Sequence, residues 1–126
     1  MGDYKKLGEV IRMDPALDEL IDPREQFEQI GRGLTWSEGP VWDTRRNRLL
    51  FSDLPRNAIL SWDERDGLRI YMQPSGYTGV KWYGDEPGSN ALTFDGEGRL
   101  TMCEHGDRRI SRVEHSGGKI TLADSF

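Results

Sequence analysis

Glu38 and Asn90 are two residues whose types and spacing could serve chemistry. Each stands four residues before an aromatic residue followed by Asp, and Glu38 precedes Asn90 by 52 positions. Carboxylate and amide oxygens that face a common centre suit a hard divalent cation such as calcium or magnesium, with zinc and manganese as alternatives. Turns also use such side chains to bind backbone groups. The spacing alone leaves both a cation site and a structural role open.

His105 is a third candidate. It follows a short segment that is predicted to be a strand, where the chain turns at one edge of the fold. A neutral imidazole can hydrogen-bond a substrate oxygen or relay a proton, since its ordinary pKa is about 6.5. His105 is therefore a candidate for substrate binding and for the catalytic residue, with a bond to a loop carbonyl as the alternative. His115, beside Ser116–Gly118, is predicted to be a solvated turn residue.

Three further residues are predicted to be structural. Asp53 and Glu104 occupy equivalent positions of a repeat and could be taken for a pair of catalytic carboxylates. Because the repeat places them in different units, we predict that each accepts hydrogen bonds from turn amides. Cys103 lies in an apolar segment and is predicted to pack as a small hydrophobic residue.

These candidates lie in a repeat of short strands. Four strands run from Pro40 to Tyr71, and a similar set returns from Ala91 to Leu122, about 50 residues later. The 15 Gly, 6 Pro, 4 Trp, 4 Tyr and 4 Phe residues favour strands and turns over packed helices. A four-stranded meander with this period is typical of β-propeller blades, whose innermost strands line a central channel. Residues 38 and 90 would then be neighbours at one mouth of the channel.

The predicted fold is therefore all-β, with the first two blades of an incomplete β-propeller over residues 31–126. Residues 1–30 form an N-terminal extension with one short helix at Asp14–Ile21, since an Asp-Pro pair begins the pattern and Pro23 ends it. A propeller needs about four to eight blades to close. We expect the chain to be the N-terminal portion of a larger protein, or to complete its ring with another chain or with copies of itself.

A long connection separates the two sets of strands. It runs from Gln73 to Ser89 and combines glycines with three aromatic residues. Connections of this length often cover a binding pocket, and aromatic side chains in an exposed loop usually pack against something. The segment is predicted to be a pocket lid, with an ordinary surface loop as the alternative.

Longer motifs resemble a known family of six-bladed propellers, the gluconolactonase and senescence-marker-protein (regucalcin) family. Its first two blades, particularly those of the bacterial gluconolactonases, are resembled by the segments Thr35–Trp42, Leu50–Asp53, Ile59–Trp62, Pro74–Gly79, Ser89–Asp95 and Cys103–Arg109. The resemblance runs from about Trp36 to Phe126 and leaves the N-terminal extension outside.

This resemblance implies a metal-dependent lactonase that opens a sugar lactone or a similar small lactone with metal-activated water. It implies that Glu38 is a metal ligand and that Asn90 reaches the substrate or the metal-bound water. It also implies a His-Gly turn at the pocket, which favours His105 as a pocket residue. One divalent cation is expected, with calcium preferred. Gly88 stands where the animal proteins have a sugar-binding Arg, and the other metal ligands would lie beyond Phe126.

A non-catalytic propeller that binds calcium or a partner protein through its mouth is the alternative, because propellers host many functions. In either case the isolated chain is expected to be inactive, since the blades that would wall the site are absent.

Composition excludes several other classes. The chain carries 22 acidic against 17 basic residues, a net charge of −5, and no basic cluster that would bind nucleic acid. No apolar run approaches the roughly 18 residues of a membrane span. One Cys and two His give no disulfide framework and no zinc cluster of Cys and His. The N-terminus shows no secretory signal, so a cytoplasmic location is predicted.

Overall fold

The computed structural model describes residues 4–124 and divides the chain into two compact units between Arg32 and Gly33. In the first unit, strand β1 (Lys5–Leu7) pairs antiparallel with strand β2 (Phe27–Gln29). Between them lies one short 3₁₀ helix, Pro15–Glu19, whose N-terminus is capped by Asp14. The predicted helix is therefore present, but it is a 3₁₀ helix of five residues and shorter than predicted.

The second unit contains two four-stranded antiparallel sheets, each a meander of consecutive strands. Blade one consists of β3 (Ser37–Asp43), β4 (Arg48–Asp53), β5 (Ala58–Asp63) and β6 (Gly67–Met72). Blade two consists of β7 (Ser89–Phe94), β8 (Leu100–Glu104), β9 (Arg109–Val113) and β10 (Lys119–Ala123). This confirms the prediction of an all-β fold built from propeller blades.

The register confirms that the two sheets are equivalent. In blade one Trp42 pairs with Leu49, and in blade two Phe94 pairs with Leu100. The innermost strands β3 and β7 each contain a β-bulge near their start. At the bulge, each strand has one residue more than the partner strand opposite it. Such bulges bend a strand and change the direction of its side chains. In blade one the bulge directly follows Glu38, and in blade two it contains Asn90.

The main core lies between the blades. Its buried members come from both sheets: Leu50, Ile59, Leu92, Leu100 and Met102. Burial of one such side chain contributes roughly 1.5–3 kcal/mol, so this shared core holds the two sheets together. A smaller cluster of Phe51, Ala58 and Leu60 lies on the other face of blade one.

Cys103 was predicted to be packed, and this prediction is wrong. Along β8 the side chains alternate, so Met102 and Glu104 are buried while Cys103 is exposed. Its neighbours Ile110 and Leu122 are also 41% and 47% exposed. In the described part of the chain, one face of blade two therefore has no sheet packed against it.

No helix within residues 4–124 is long and apolar enough to cross a membrane. The cytoplasmic location stays a prediction.

Candidate functional site

Strands β3 and β7 bring the segments around Glu38 and Asn90 together. Gly39 has φ +62°, and a Cβ atom there would lie 2.6 Å from the Asn90 backbone oxygen and 3.0 Å from Ala91 Cα. A side chain would need both a left-handed backbone and space that is already occupied. Glycine at position 39 therefore lets β3 approach β7 closely, directly after Glu38.

Three buried serines connect β4, β7 and the interblade loop close to this contact. Ser52 Oγ lies 2.8 Å from both the Asn90 backbone oxygen and Ser89 Oγ. The Ser89 amide donates to Ser75 Oγ at 2.9 Å. All three serines are fully buried. These bonds fix the backbone of Asn90, while the residue itself is exposed and its side chain is available for another partner.

Glu38 is only partly exposed, and its Oε1 atom is buried without a hydrogen-bond partner among the described residues. A buried carboxylate oxygen without a donor is costly, because it has lost water and gained nothing in exchange. A bound cation would compensate such an oxygen, so the residue fits the expected metal. The described residues contain no cluster of three or more His, Cys, Asp and Glu that could hold a metal ion by itself.

His105 lies at the same end of blade two as Asn90, because the end of β8 pairs with the start of β7. Its amide donates to the Gly88 carbonyl at 3.3 Å, and its Nδ1 atom lies 2.8 Å from the Glu86 carbonyl. His105 also borders a cleft of about 250 Å³, but neither Glu38 nor Asn90 lines this cleft. His105 therefore makes the bond to a loop carbonyl that the sequence left open as its alternative role. This bond uses Nδ1 and does not involve Nε2.

The structure brings the strands of Glu38 and Asn90 together and ties His105 to the chain just before Asn90. No hydrogen bond within residues 4–124 joins the three side chains directly. Their roles as metal ligand, substrate-binding residue and catalytic candidate stay predictions.

The connection between the blades is held at its base. Asn57 Oδ1 accepts the amides of Ser75, Gly76 and Tyr77 at 3.1, 2.8 and 3.1 Å. Farther along, Tyr83 donates its hydroxyl to the His105 carbonyl at 2.9 Å. The tip is different, since Val80 and Trp82 are 101% and 82% exposed. The loop thus has a fixed base and an exposed apolar tip, and its role as a lid stays a prediction.

Tyr83 and Glu86 were not singled out from the sequence, although both contact His105 in the structure. The signal that could have found Tyr83 was its presence among the aromatic residues of a long loop. Glu86 acts through its backbone oxygen, so no residue type could have indicated it.

The two equivalent carboxylates have different partners. Asp53 accepts the amides of Thr35 and Trp36, both at 3.1 Å, as predicted for a structural residue. Glu104 does not bind turn amides, so that part of the prediction is wrong. The short side chain of Asp53 reaches nearby backbone amides and lies 3.6 Å from Arg56 Nε, whereas the longer one of Glu104 reaches side chains on β9 and β10.

Glu104 is fully buried and accepts three hydrogen bonds. Arg109 Nε donates at 2.6 Å, and Ser111 Oγ and Lys119 Nζ each donate at 2.5 Å. Burial favours the neutral acid, but these donors outweigh it and hold the pKa of Glu104 below its ordinary value. Lys119 also donates to the Ser75 carbonyl at 3.1 Å, which connects this network to the base of the interblade loop.

Two neighbouring four-stranded meanders that share a core define the second unit as part of a β-propeller. The chain belongs to the SMP-30/gluconolactonase/LRE-like family, whose sequence profile matches residues 36–125. This confirms the resemblance noted in the sequence.

Individual relatives agree with the family. A gluconolactonase from Zymomonas mobilis is 36% identical over 110 residues, which cover 86% of this chain and 31% of the relative. A solved gluconolactonase from Xanthomonas campestris is 24% identical, with a TM-score of 0.72 over 99% of this chain and 36% of its own, and it supports the fold. A structural-genomics crystal structure provisionally assigned as a gluconolactonase is 32% identical, with a TM-score of 0.65 over 79% of this chain and 31% of its own.

The chain thus spans about a third of the length of the relatives that it matches.

Proposed function

We propose that this chain supplies two blades of a metal-dependent hydrolase that opens a sugar lactone or a similar small lactone. Membership of the family and the identity to a gluconolactonase support lactone hydrolysis. The observation that carries the metal dependence is the buried Oε1 of Glu38, which has no hydrogen-bond partner in the described part of the chain.

Glu38 would hold the cation, and calcium is preferred because the candidate ligands are oxygen atoms. Zinc, magnesium and manganese are the alternatives. When bound, the cation supplies Lewis-acid polarisation of the lactone carbonyl and activation of water. The Asn90 amide would orient the lactone by hydrogen bonding, since its backbone is fixed by Ser52 and its side chain is exposed. His105 would hydrogen-bond a lactone oxygen or accept the proton that water loses.

The two blades supply one carboxylate and one amide, whereas calcium usually takes six to eight oxygen ligands. The proposal therefore includes a complete ring, with further blades in a longer chain, a complementary chain or copies of this one. The isolated monomer would be inactive, because its pocket lacks walls that orient the lactone and exclude bulk water. Light scattering combined with a lactone assay on the isolated chain tests this point, and turnover by a confirmed monomer would contradict it.

The decisive experiment compares the parent protein with Glu38→Gln in the complete ring. Calcium and zinc affinities are measured by titration calorimetry, and opening of gluconolactone is measured by acid release. We expect Glu38→Gln to lose at least tenfold in affinity for the physiological metal and to lose lactone opening with it. Glu64→Gln removes an exposed carboxylate in the turn after β5 and serves as the matched control, with no change in either measurement.

Two outcomes would redirect the proposal. Equal metal affinities of the parent and Glu38→Gln proteins would remove Glu38 from the site. Tight calcium binding that depends on Glu38, without hydrolysis of any lactone tested, would favour the non-catalytic propeller instead.

A further inference from the structure

Besides the bond from the His105 amide to the Gly88 carbonyl, the interblade loop makes three contacts with His105 through Tyr83 and Glu86. The Glu86 carbonyl lies 2.8 Å from Nδ1. The Tyr83 hydroxyl donates to the His105 carbonyl at 2.9 Å, and the Tyr83 ring meets the imidazole edge-on, with centroids 5.5 Å apart and planes at 83°. The loop therefore touches both the backbone and the ring of the same residue.

The first contact determines where the imidazole carries its proton. A backbone carbonyl can only accept a hydrogen bond, so Nδ1 must be the donor. A neutral imidazole has one donor and one acceptor nitrogen, and the bond made by one nitrogen fixes the role of the other. Neutral His105 is then protonated at Nδ1, and Nε2 is its acceptor.

The surroundings make this arrangement rigid. Gly106, the next residue, fits so closely that a Cβ atom there would lie 2.4 Å from Tyr77 Cβ and 2.6 Å from the Pro87 carbonyl oxygen. Asp107 accepts bonds from the amide and the hydroxyl of Thr78 at 3.0 and 2.8 Å. The turn that carries the imidazole is thus clamped between both ends of the interblade loop.

We propose that the interblade loop is a positioning element which, through the Glu86 carbonyl and Tyr83, holds neutral His105 with its proton on Nδ1 and reserves Nε2 as a proton acceptor for the lactone reaction. The assignment to the lactone reaction rests on the function proposed above, whereas the position of the proton does not. Tyr83 acts through His105 and is a positioning residue.

Two substitutions of His105 separate its structural bond from its chemistry. The amide nitrogen of Asn reaches about as far as Nδ1, so His105→Asn can keep the bond to Glu86 but has no acceptor in the place of Nε2. His105→Gln places its amide near Nε2 and loses the bond to the carbonyl. In the complete ring we expect His105→Asn to have the same free energy of unfolding as the parent protein. We expect its kcat for lactone opening to fall about 100-fold or more. Unchanged kcat in His105→Asn would overturn the acceptor role.

The proton position is tested by long-range ¹H–¹⁵N correlation spectra of ¹⁵N-histidine-labelled protein, recorded at alkaline pH. The chain has only two histidines, and exposed His115 serves as the internal reference for an unconstrained ring. We expect the Nδ1-protonated pattern for His105 in the parent and in Tyr83→Phe, which keeps the ring contact. Tyr83→Ala should shift the pattern toward that of His115. An Nε2-protonated His105 in the parent, or a pattern unaffected by Tyr83→Ala, would overturn the inference, whereas failure of lactone opening with the expected spectra would overturn the proposed function alone.

Discussion

In blade one the buried carboxylate at the end of the second strand, Asp53, accepts backbone amides, whereas the equivalent Glu104 of blade two accepts bonds from three side chains. Asp53 fixes the chain that leads into β3. Glu104 instead links β8 to β9 and β10. Equivalent positions of the two blades thus both carry a buried carboxylate, but the two carboxylates bind different partners.

The difference follows from how each blade begins. The chain enters blade one beside Asp53, so a short side chain reaches its amides. Blade two begins after the interblade loop, whose base is already held by Asn57. The longer carboxylate at this position binds the outer strands and, through Lys119, contacts the loop base at Ser75.

The largest effect is expected from Glu104→Ala. This substitution removes the Glu104 carboxylate from Arg109 and Lys119, which are 24% and 17% exposed. Arg109 keeps only a longer pair with Asp107, at 3.7 Å. Removing one partner of a buried ion pair costs about 3–5 kcal/mol of unfolding free energy. Urea unfolding of the chain measures it, and Glu104→Gln, which keeps part of the hydrogen bonding, should cost less. A loss smaller than that of the blade-one variant below would reverse the comparison.

A smaller effect is expected from Asp53→Ala in blade one. The substitution removes the acceptor of two amides and the ion-pair partner of half-exposed Arg56. Thr35 and Trp36 are also exposed, so water can replace part of the bonding. We expect a loss of about 2 kcal/mol in the same urea experiment, since an unsatisfied backbone donor costs about 1–3 kcal/mol. Asp53→Asn keeps one acceptor oxygen and should fall between the parent and Asp53→Ala.

Acid should remove the stability that Glu104 contributes to blade two. The folded pKa of Glu104 lies below its ordinary value, so the unfolded chain binds this proton more readily than the folded chain does. The resulting stability is present above the ordinary pKa of glutamate, about 4.3, and is lost as the pH falls through the folded pKa. Measured from pH 7 into this acid range, Glu104→Gln should lose less stability than the parent. Parallel curves would mean that Glu104 does not titrate differently on folding.

The smallest effect is expected where Asp43 binds Arg46 in the turn after β3 and Arg48 at the start of β4. Arg46 is 61% exposed and lies 3.4 Å from the carboxylate, whereas Arg48 is 19% exposed, lies 3.1 Å away and covers the Tyr71 ring at 4.6 Å. Arg46→Ala should cost about 0.2–0.5 kcal/mol, as exposed ion pairs do. Arg48→Ala should cost more in parallel thermal unfolding, and equal costs would show that exposure does not set the value of these pairs.

The two-blade architecture could be predicted because its signals are local. Strands and turns recur at a fixed period, and the pairing of Trp42 with Leu49 and of Phe94 with Leu100 follows from that period. The placement of Glu38 beside Asn90 in neighbouring innermost strands could be predicted for the same reason. The repeat alone was enough to predict that the strands of Glu38 and Asn90 are neighbours.

The partners of individual side chains could not be predicted. Glu104 and Lys119 are 15 residues apart in the sequence. Their contact depends on the order and register in which β8, β9 and β10 pair in the sheet. The exposure of Cys103 depends on whether a sheet covers that face of blade two. The bond from His105 to the Glu86 carbonyl depends on the path of a loop backbone, which side-chain types do not encode.

Asn57 gives the interblade loop a particular pattern of local opening. One side-chain oxygen accepts three consecutive amides, from Ser75 to Tyr77, and the Asn57 amide nitrogen donates to the Tyr77 carbonyl at 2.8 Å. A single rotation of this side chain would break all of these bonds at once. Protection against hydrogen exchange should therefore be shared by the amides of Gly76 and Tyr77, which open as one cooperative unit although they belong to no helix or strand. The Ser75 amide should stay protected longer, because it also donates to the Asn57 backbone oxygen at 2.9 Å.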